Sequence, residues 1–173
     1  MHRSELFESW IHWITATKVS WFVLNYRWVW PICESIHFCG LTLMAGTVGL
    51  FDFRVLGFGK GLTPREVHRG LRWGLAGFAM SLGTGVMFLA GQPDQYLYNE
   101  AWWAKVVCLS LMGCNLVAFY SLEFGKVQRL GPNDDAPRRA KAMALASLVL
   151  IAAVICCGRM LTFFRPAFVY TPP

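Results

Sequence analysis

The sequence predicts an all-α protein: an integral membrane four-helix bundle, preceded by an amphipathic helix at the membrane interface. Two observations predict it. Of the 173 residues, 55% are hydrophobic and only 15% are charged, which is less charge than soluble domains carry. The hydrophobic residues also form four long blocks, each near the ~20 residues that a helix needs to cross ~30 Å of hydrocarbon. We therefore expect a single membrane domain, residues 1–173, in contact with the lipid bilayer.

The first element, residues 4–26, is an amphipathic segment. Its apolar residues recur at helical spacing, whereas Glu5, Glu8 and His12 fall on the opposite side. This pattern is typical of a helix that lies in the membrane interface. A fifth membrane span is the alternative. Lys18, at the centre of the segment, disfavours that alternative because a charged side chain is costly in hydrocarbon.

The four predicted spans are residues 32–57, 69–91, 102–122 and 141–164. Before the second span, the stretch 63–66 (TPRE) has the form of an N-cap, a first-turn proline and a capping-box glutamate, so it predicts a sharp helix start near Pro64. Gly70 and Gly74, with Gly77, Gly83 and Gly85 further along, predict that a neighbouring helix can approach the second span closely. The other connections are short, polar and rich in turn-forming residues.

The basic residues predict the orientation of the bundle. The first and third connections are rich in Lys and Arg, whereas the connection over 92–101 has neither and carries Asp94 and Glu100. Because loops rich in Lys and Arg stay in the cytoplasm, we expect both termini on the periplasmic side of a bacterial inner membrane. The net charge of +6 is then a topology signal, and no nucleic-acid partner is expected.

Neither the cysteines nor the sequence motifs indicate an enzyme. All six cysteines fall inside apolar segments, which favours buried free thiols over a disulfide framework. The sequence has no Ser-His-Asp order, P-loop, GxGxxG, CxxC or HExxH motif. We therefore expect no catalytic activity of its own.

Ionisable residues at membrane depth are the candidate functional groups, because burying them there is expensive. Glu34 and His37 are three residues apart on the first span, which brings carboxylate and imidazole to one helix face, as in metal sites of helical bundles. Cys108 of the third span lies at a similar depth. The sequence therefore predicts a metal site of Glu34, His37 and Cys108. The alternative is that Glu34 orients the His37 ring or pairs with a nearby cation.

His37 is also the candidate ligand for haem b. His68 lies at the cytoplasmic start of the second span, whereas His37 lies near the outer end of the first. The two are therefore too far apart in depth to share an iron. The second cofactor ligand would then be His12 of the interfacial helix or Met87 of the second span. Copper is the alternative to haem at this site, because imidazole, thiol and thioether groups suit a soft ion. Ordinary packing of the Cys and Met side chains is the third interpretation.

A second polar layer lies near the cytoplasmic ends of the spans. Asp52 of the first span and Arg72 of the second are predicted to form a structural ion pair across the hairpin. Arg54 is expected to extend to the lipid headgroups. Asn115, at mid-depth on the third span, is predicted to form a hydrogen bond to a neighbouring helix.

The residues around His37 carry a family resemblance. The stretch 30–41 (WPICESIHFCGL) continues through Gly46 and Gly49 to 51–57 (FDFRVLG), and 99–105 (NEAWWAK) follows on the third span. This pattern resembles an uncharacterised bacterial family of small four-span membrane proteins and is more distantly similar to the membrane domain of the copper-resistance D proteins. The resemblance implies the four-span fold and the two polar layers. The copper-resistance likeness would place His37 at the outer mouth of the bundle.

Three functional hypotheses follow. The first is a small subunit of a redox complex, associated with other membrane subunits or with further copies of itself, in which His37 binds haem b for electron transfer. The second is a transporter of copper or another small solute. The third is a structural subunit whose buried charges only hold its helices together.

Overall fold

The computed structural model describes residues 2–164, with side chains from Phe7 onward. Over this range the chain is all-α, without a strand. The helices are α1 (His2–Thr15), α2 (Lys18–Asn25), α3 (Val29–Leu56), α4 (Pro64–His68), α5 (Leu71–Gly91), α6 (Pro93–Leu97), α7 (Glu100–Leu122), α8 (Phe124–Val127) and α9 (Arg138–Met160). Four stretches, α3, α4–α5, α7 and α9, are long and apolar enough to cross a membrane. The predicted all-α membrane bundle is confirmed, and the chain is a multi-pass membrane protein whose spans contact lipid.

The second span begins where its capping sequence predicts. The Thr63 hydroxyl accepts a hydrogen bond from the Glu66 amide at 3.3 Å, and the Glu66 carboxylate accepts one from the Thr63 amide at 2.8 Å. Both halves of a capping box are therefore present. The helix is interrupted at Arg69 and Gly70 before it continues as α5.

The segment predicted as one helix over 4–26 forms two helices. The cause is Thr17, whose hydroxyl accepts a hydrogen bond from the Ser20 amide at 3.2 Å and so caps a new helix, α2. α2 packs against α5, and its Val23 is buried beside Gly91. The Trp10 and Trp13 side chains of α1 are exposed. The surface character predicted for the whole segment therefore belongs to α1, whereas α2 is part of the bundle.

The four spans pack in the order α5, α3, α9, α7. α5 packs on α3, α3 on α9, and α9 on α7, but α5 and α7 make no comparable contact with each other. In α7 only 6% of the apolar window is buried, against 28% in each of the other spans. We call the end that carries the connections 57–63 and 123–137 the basic end, and the opposite end the α6 end. The bundle is therefore open between α5 and α7, except at the basic end, where His68 of α4 is bonded to Tyr120 of α7.

Glycines bring α3 and α5 into close contact. A Cβ atom built on Gly77 would lie 2.5 Å from the Gly40 carbonyl oxygen, and one built on Gly74 would lie 2.6 Å from the Thr47 hydroxyl. Real Cβ atoms do not approach so closely, and because the Gly40 carbonyl is backbone, position 77 requires glycine, whereas rotation of the Thr47 side chain would relieve the clash at position 74. The close approach predicted for the second span is therefore confirmed, and its partner is α3.

Arg54 joins the two connections at the basic end. Its side chain is 2% exposed, its Nε donates to the Leu62 carbonyl, and its Nη2 donates to the Gly131 carbonyl at 3.3 Å. Close by, the Asn133 amide donates to the Lys60 carbonyl at 2.9 Å. The prediction that Arg54 extends to the headgroups is therefore wrong, because these carbonyls hold its guanidinium inside the protein.

Asp135 adds an ionic link between the same connections. Its carboxylate accepts hydrogen bonds from Lys141 at 2.9 Å and from Lys60 at 3.1 Å. These hydrogen bonds, that from Lys141 first, lower the pKa of the Asp135 carboxyl below its ordinary value. The link thus depends on an ionised Asp135.

We expect Asp135→Asn to lower the unfolding temperature slightly at neutral pH, because an exposed ion pair contributes little. The folded-state pKa of Asp135 is depressed, so its contribution is present above the unfolded-state pKa and is lost as pH falls through the folded-state pKa. The two proteins should therefore converge in acid and also in high salt. Thermal unfolding in detergent across pH measures this, and a difference that is the same at every pH would contradict it.

Candidate functional site

His37 lies half-buried on α3, where it faces α5. Its Nδ1 is 2.9 Å from the hydroxyl oxygen of the buried Thr84. The Thr84 hydroxyl is also within hydrogen-bond distance of the Met80 carbonyl, at 2.8 Å, and of the Ser81 carbonyl, at 3.2 Å. When it donates to one of these carbonyls it accepts from His37, which puts the imidazole proton on Nδ1 and leaves a lone pair on Nε2. A histidine in this tautomer is prepared to bind an electrophile or a metal through Nε2.

Further contacts fix the orientation of the His37 ring. The ring packs edge-to-face on Phe88, with 5.6 Å between the centroids, and a Cβ atom built on Gly85 would lie 3.9 Å from His37 Cε1. The Ser81 hydroxyl donates to the His37 carbonyl at 3.2 Å. Side chain and backbone of His37 are therefore both held by α5.

Met87 and Cys33 contact each other one helical turn from His37, toward the α6 end. The Cys33 thiol donates to the Met87 sulfur at 3.5 Å. Cys33 is four residues before His37 on α3, and Met87 is three residues after Thr84 on α5, so the two pairs occupy successive turns of one interface. The sulfur pair is packed among apolar side chains, namely Val23, Val29, Trp30 and Phe88. Met87 thus contacts a thiol of α3.

The predicted metal set of Glu34, His37 and Cys108 is not assembled. Glu34 is exposed. It is three residues before His37, so the two side chains point roughly 60° apart around the helix, and Glu34 therefore does not face α5. Cys108 lies on α7, where Cys157 of α9 is its hydrogen-bond neighbour. Among the described side chains, residues 7–164, no three His, Cys, Asp or Glu form a group able to hold a metal ion.

His12 does not meet His37. α1 packs against α6, and His12 lies at a surface cavity of about 530 Å³ whose lining residues are Glu8, Ile11, His12, Thr15, Asp94 and Tyr98. The break at Thr17 allows α1 to take this direction. The predicted cofactor pair of His12 and His37 is therefore not formed within the described chain.

The predicted ion pair of Asp52 and Arg72 is not formed either. Asp52 is buried on α3 with the Ser147 hydroxyl of α9 as its hydrogen-bond neighbour. Arg72 is exposed, with its guanidinium 5.7 Å from the centre of the Trp73 ring. The reason is helical phase: Gly74 faces α3, so Arg72, two residues earlier, points away from α3.

Comparison with known proteins gives a family without an assigned role. The model of a family of unknown function, DUF6644, matches residues 10–164. The chain belongs to this family. The match begins in α1 and continues to the end of the described bundle, so the DUF6644 unit includes the N-terminal helices as well as the four spans. No curated protein and no solved structure matches the chain. The likeness to the copper-resistance D proteins stays a prediction.

In this DUF6644 bundle, the partners of His37 were missed by sequence reasoning. Ser81 and Thr84 lie on the same face of α5 as Gly74 and Gly77, at spacings of three and four residues. That stripe of small residues predicted a close neighbour. The Ser81 and Thr84 hydroxyls in the stripe could have indicated that this neighbour carries polar groups, because a hydroxyl inside a membrane needs a hydrogen-bond partner. Asn115 was interpreted correctly: its amide donates to the Met143 carbonyl of α9 at 3.1 Å.

Proposed function

We propose that the chain is a small membrane subunit of an electron-transfer complex, in which His37 binds haem b through Nε2. The observation that carries the proposal is the hydrogen bond between Thr84 and Nδ1, which holds the ring orientation and supports the tautomer in which Nε2 is free. Histidines that bind metals use this arrangement, with one nitrogen on the metal and the other held by a hydrogen bond. The haem would supply one-electron redox chemistry, and the chain would supply the ligand and its orientation.

A second axial ligand would come from another chain. Within residues 2–164, His12 lies at the cavity beside α6 and the Met87 sulfur contacts Cys33. His68 is bonded to Tyr120 at 2.9 Å near the basic end. The weakly covered α7 and the opening between α5 and α7 support association with a further membrane subunit or with a second copy. A haem at His37 would then lie at that junction.

The proposed orientation places the basic end in the cytoplasm of a bacterial cell. Exposed arginines cluster there, including Arg65, Arg69, Arg138 and Arg139, and cytoplasmic loops are rich in such residues. His37 lies in the half of the bundle near the α6 end, which would be the periplasmic half. Electrons would therefore exchange with a partner on the periplasmic side.

A reduced-minus-oxidised visible spectrum of the native membranes, and of the complex purified from them, tests the haem. We expect haem b bands that are lost in His37→Ala and kept in the control His68→Ala. Thr84→Val should keep the bands but shift the midpoint potential, because the imidazole loses the bond that holds its Nδ1 proton. Absence of bands in the wild type, or bands that survive His37→Ala, would refute the proposal.

Copper binding or transport is a second candidate function, and one contact supports it. The Cys33 and Met87 sulfurs lie 3.5 Å apart, one turn from His37, and thiol with thioether is a donor pair that Cu(I) prefers. Metal analysis of the purified protein and copper uptake into proteoliposomes test this. Cys33→Ser and Met87→Leu should each lower bound copper, with Cys114→Ser as the exposed-thiol control. If the wild-type protein neither binds copper nor transports it, the structural role remains.

A further inference from the structure

Asp52 is a buried carboxyl group inside a membrane span. Its side chain lies in α3, four residues or about 6 Å before the helix ends at Leu56, and the residue is 6% exposed. Across the interface, Ser147 of α9 is 8% exposed and is its hydrogen-bond neighbour. The second carboxyl oxygen, Oδ2, is buried and has no hydrogen-bond partner. The group therefore has one polar neighbour and one unpartnered oxygen in an apolar interface.

Several charged and titratable groups around this end of α3 have partners other than Asp52. His68 of α4 bonds to Tyr120, and Arg72 of α5 lies over Trp73. Glu123, after α7, accepts from Lys126, and Lys141 of α9 bonds to Asp135. On α3 itself, Arg54 bonds to the Leu62 and Gly131 carbonyls. No ion pair of the described residues includes Asp52. A carboxylate at this position would therefore be a buried charge without a counterion.

A charged carboxylate in this setting is far more costly than a neutral carboxyl, since burial in a low dielectric disfavours the charged form and no cation offsets the cost. A protonated carboxyl also gains an O–H donor. We propose that Asp52 is a proton-binding site in the α3–α9 interface and that it is protonated at neutral pH.

Proton exchange at this site needs no redox step. The carboxylate takes a proton from hydronium, water is released, and the neutral acid forms; the reverse step returns the proton to water at the nearby basic end. Because α9 packs on both α3 and α7, loss of the proton puts a charge into the interface that connects the two halves of the bundle. The site therefore couples proton binding to the packing of α3 against α9.

Infrared difference spectroscopy of the full chain in lipid tests the proposal. We expect a carbonyl stretching band of a protonated carboxyl at neutral pH, which shifts in D2O, disappears in alkali and is absent from Asp52→Asn. Asp135→Asn is the matched control: it should keep the band, because Asp135 is exposed and ion-paired. Ser147→Ala should move the band without removing it, because it takes away the hydrogen-bond neighbour only.

The same variants give a second readout in stability. The wild type should lose thermal stability as pH rises through the titration of Asp52, because the folded state then binds more protons than the unfolded state. Asp52→Asn is neutral at every pH and similar in shape, so its unfolding temperature should lack this fall. Absence of the band from the wild type at neutral pH, its survival in Asp52→Asn, or its loss on adding sodium at constant pH would each overturn the proposal.

Discussion

Gly77→Ala is expected to destabilise the bundle by about 1–3 kcal/mol, the usual cost of inserting a group into a packed core. The added methyl group would lie 2.5 Å from the Gly40 carbonyl oxygen and 2.8 Å from the Met44 amide nitrogen. Both atoms belong to the backbone, so no rotation of a side chain relieves the clash. α3 and α5 must move apart, and the His37–Thr84 hydrogen bond lies in the interface that opens.

Gly83→Ala is the matched control for this substitution. It lies on the same helix, and its Cβ would meet nothing within 4 Å. Alanine also has a higher helix propensity than glycine, so this variant should unfold at or above the wild-type temperature. Thermal unfolding of both variants in the same detergent measures the difference. Equal unfolding temperatures for the two variants would mean that the α3–α5 contact is looser than described.

Arg54→Ala should produce the other large loss. The Leu62 and Gly131 carbonyls lose their donor, and a hydrogen bond to a charged group contributes about 1.5–3 kcal/mol. The connections 57–63 and 123–137 should separate and become sensitive to protease while the spans persist. Limited proteolysis and thermal unfolding report the two effects.

Arg72→Ala is the comparison for Arg54→Ala, because Arg72 is an exposed arginine at the same end of the bundle. We expect its cleavage rate and unfolding temperature to match the wild type. Arg54→Lys should recover only part of the stability, because an ammonium group cannot reproduce the planar fork that reaches both carbonyls. Protease resistance of Arg54→Ala equal to that of the wild type would contradict the link between the connections.

The fold could be predicted from the sequence more completely than the site, for physical reasons. Long apolar blocks, the capping box at Thr63 and the glycine stripe of α5 act through local chemistry, so they could be interpreted without coordinates. The partner of a polar residue depends on helical phase and on which helices are neighbours. Arg72 and Asp52 lie at a similar depth in the membrane, but their side chains point in different directions. The packing order α5, α3, α9, α7 cannot be read from any local sequence pattern. His37 was recognised, whereas its link to Thr84 required that order.

The order of the spans also bears on how the protein is made. α3 and α5 are the first two spans in the sequence and pack on each other, so they can associate as soon as both have entered the bilayer. α7 enters next, but its main neighbour, α9, is the last of the four in the sequence. During synthesis α7 therefore lacks its main neighbour until α9 arrives, and until then its contacts with the first hairpin are those of Phe119 with Phe51 and of Tyr120 with His68. Ribosome-bound intermediates that end after α7 should be the stage at which a membrane chaperone is most needed.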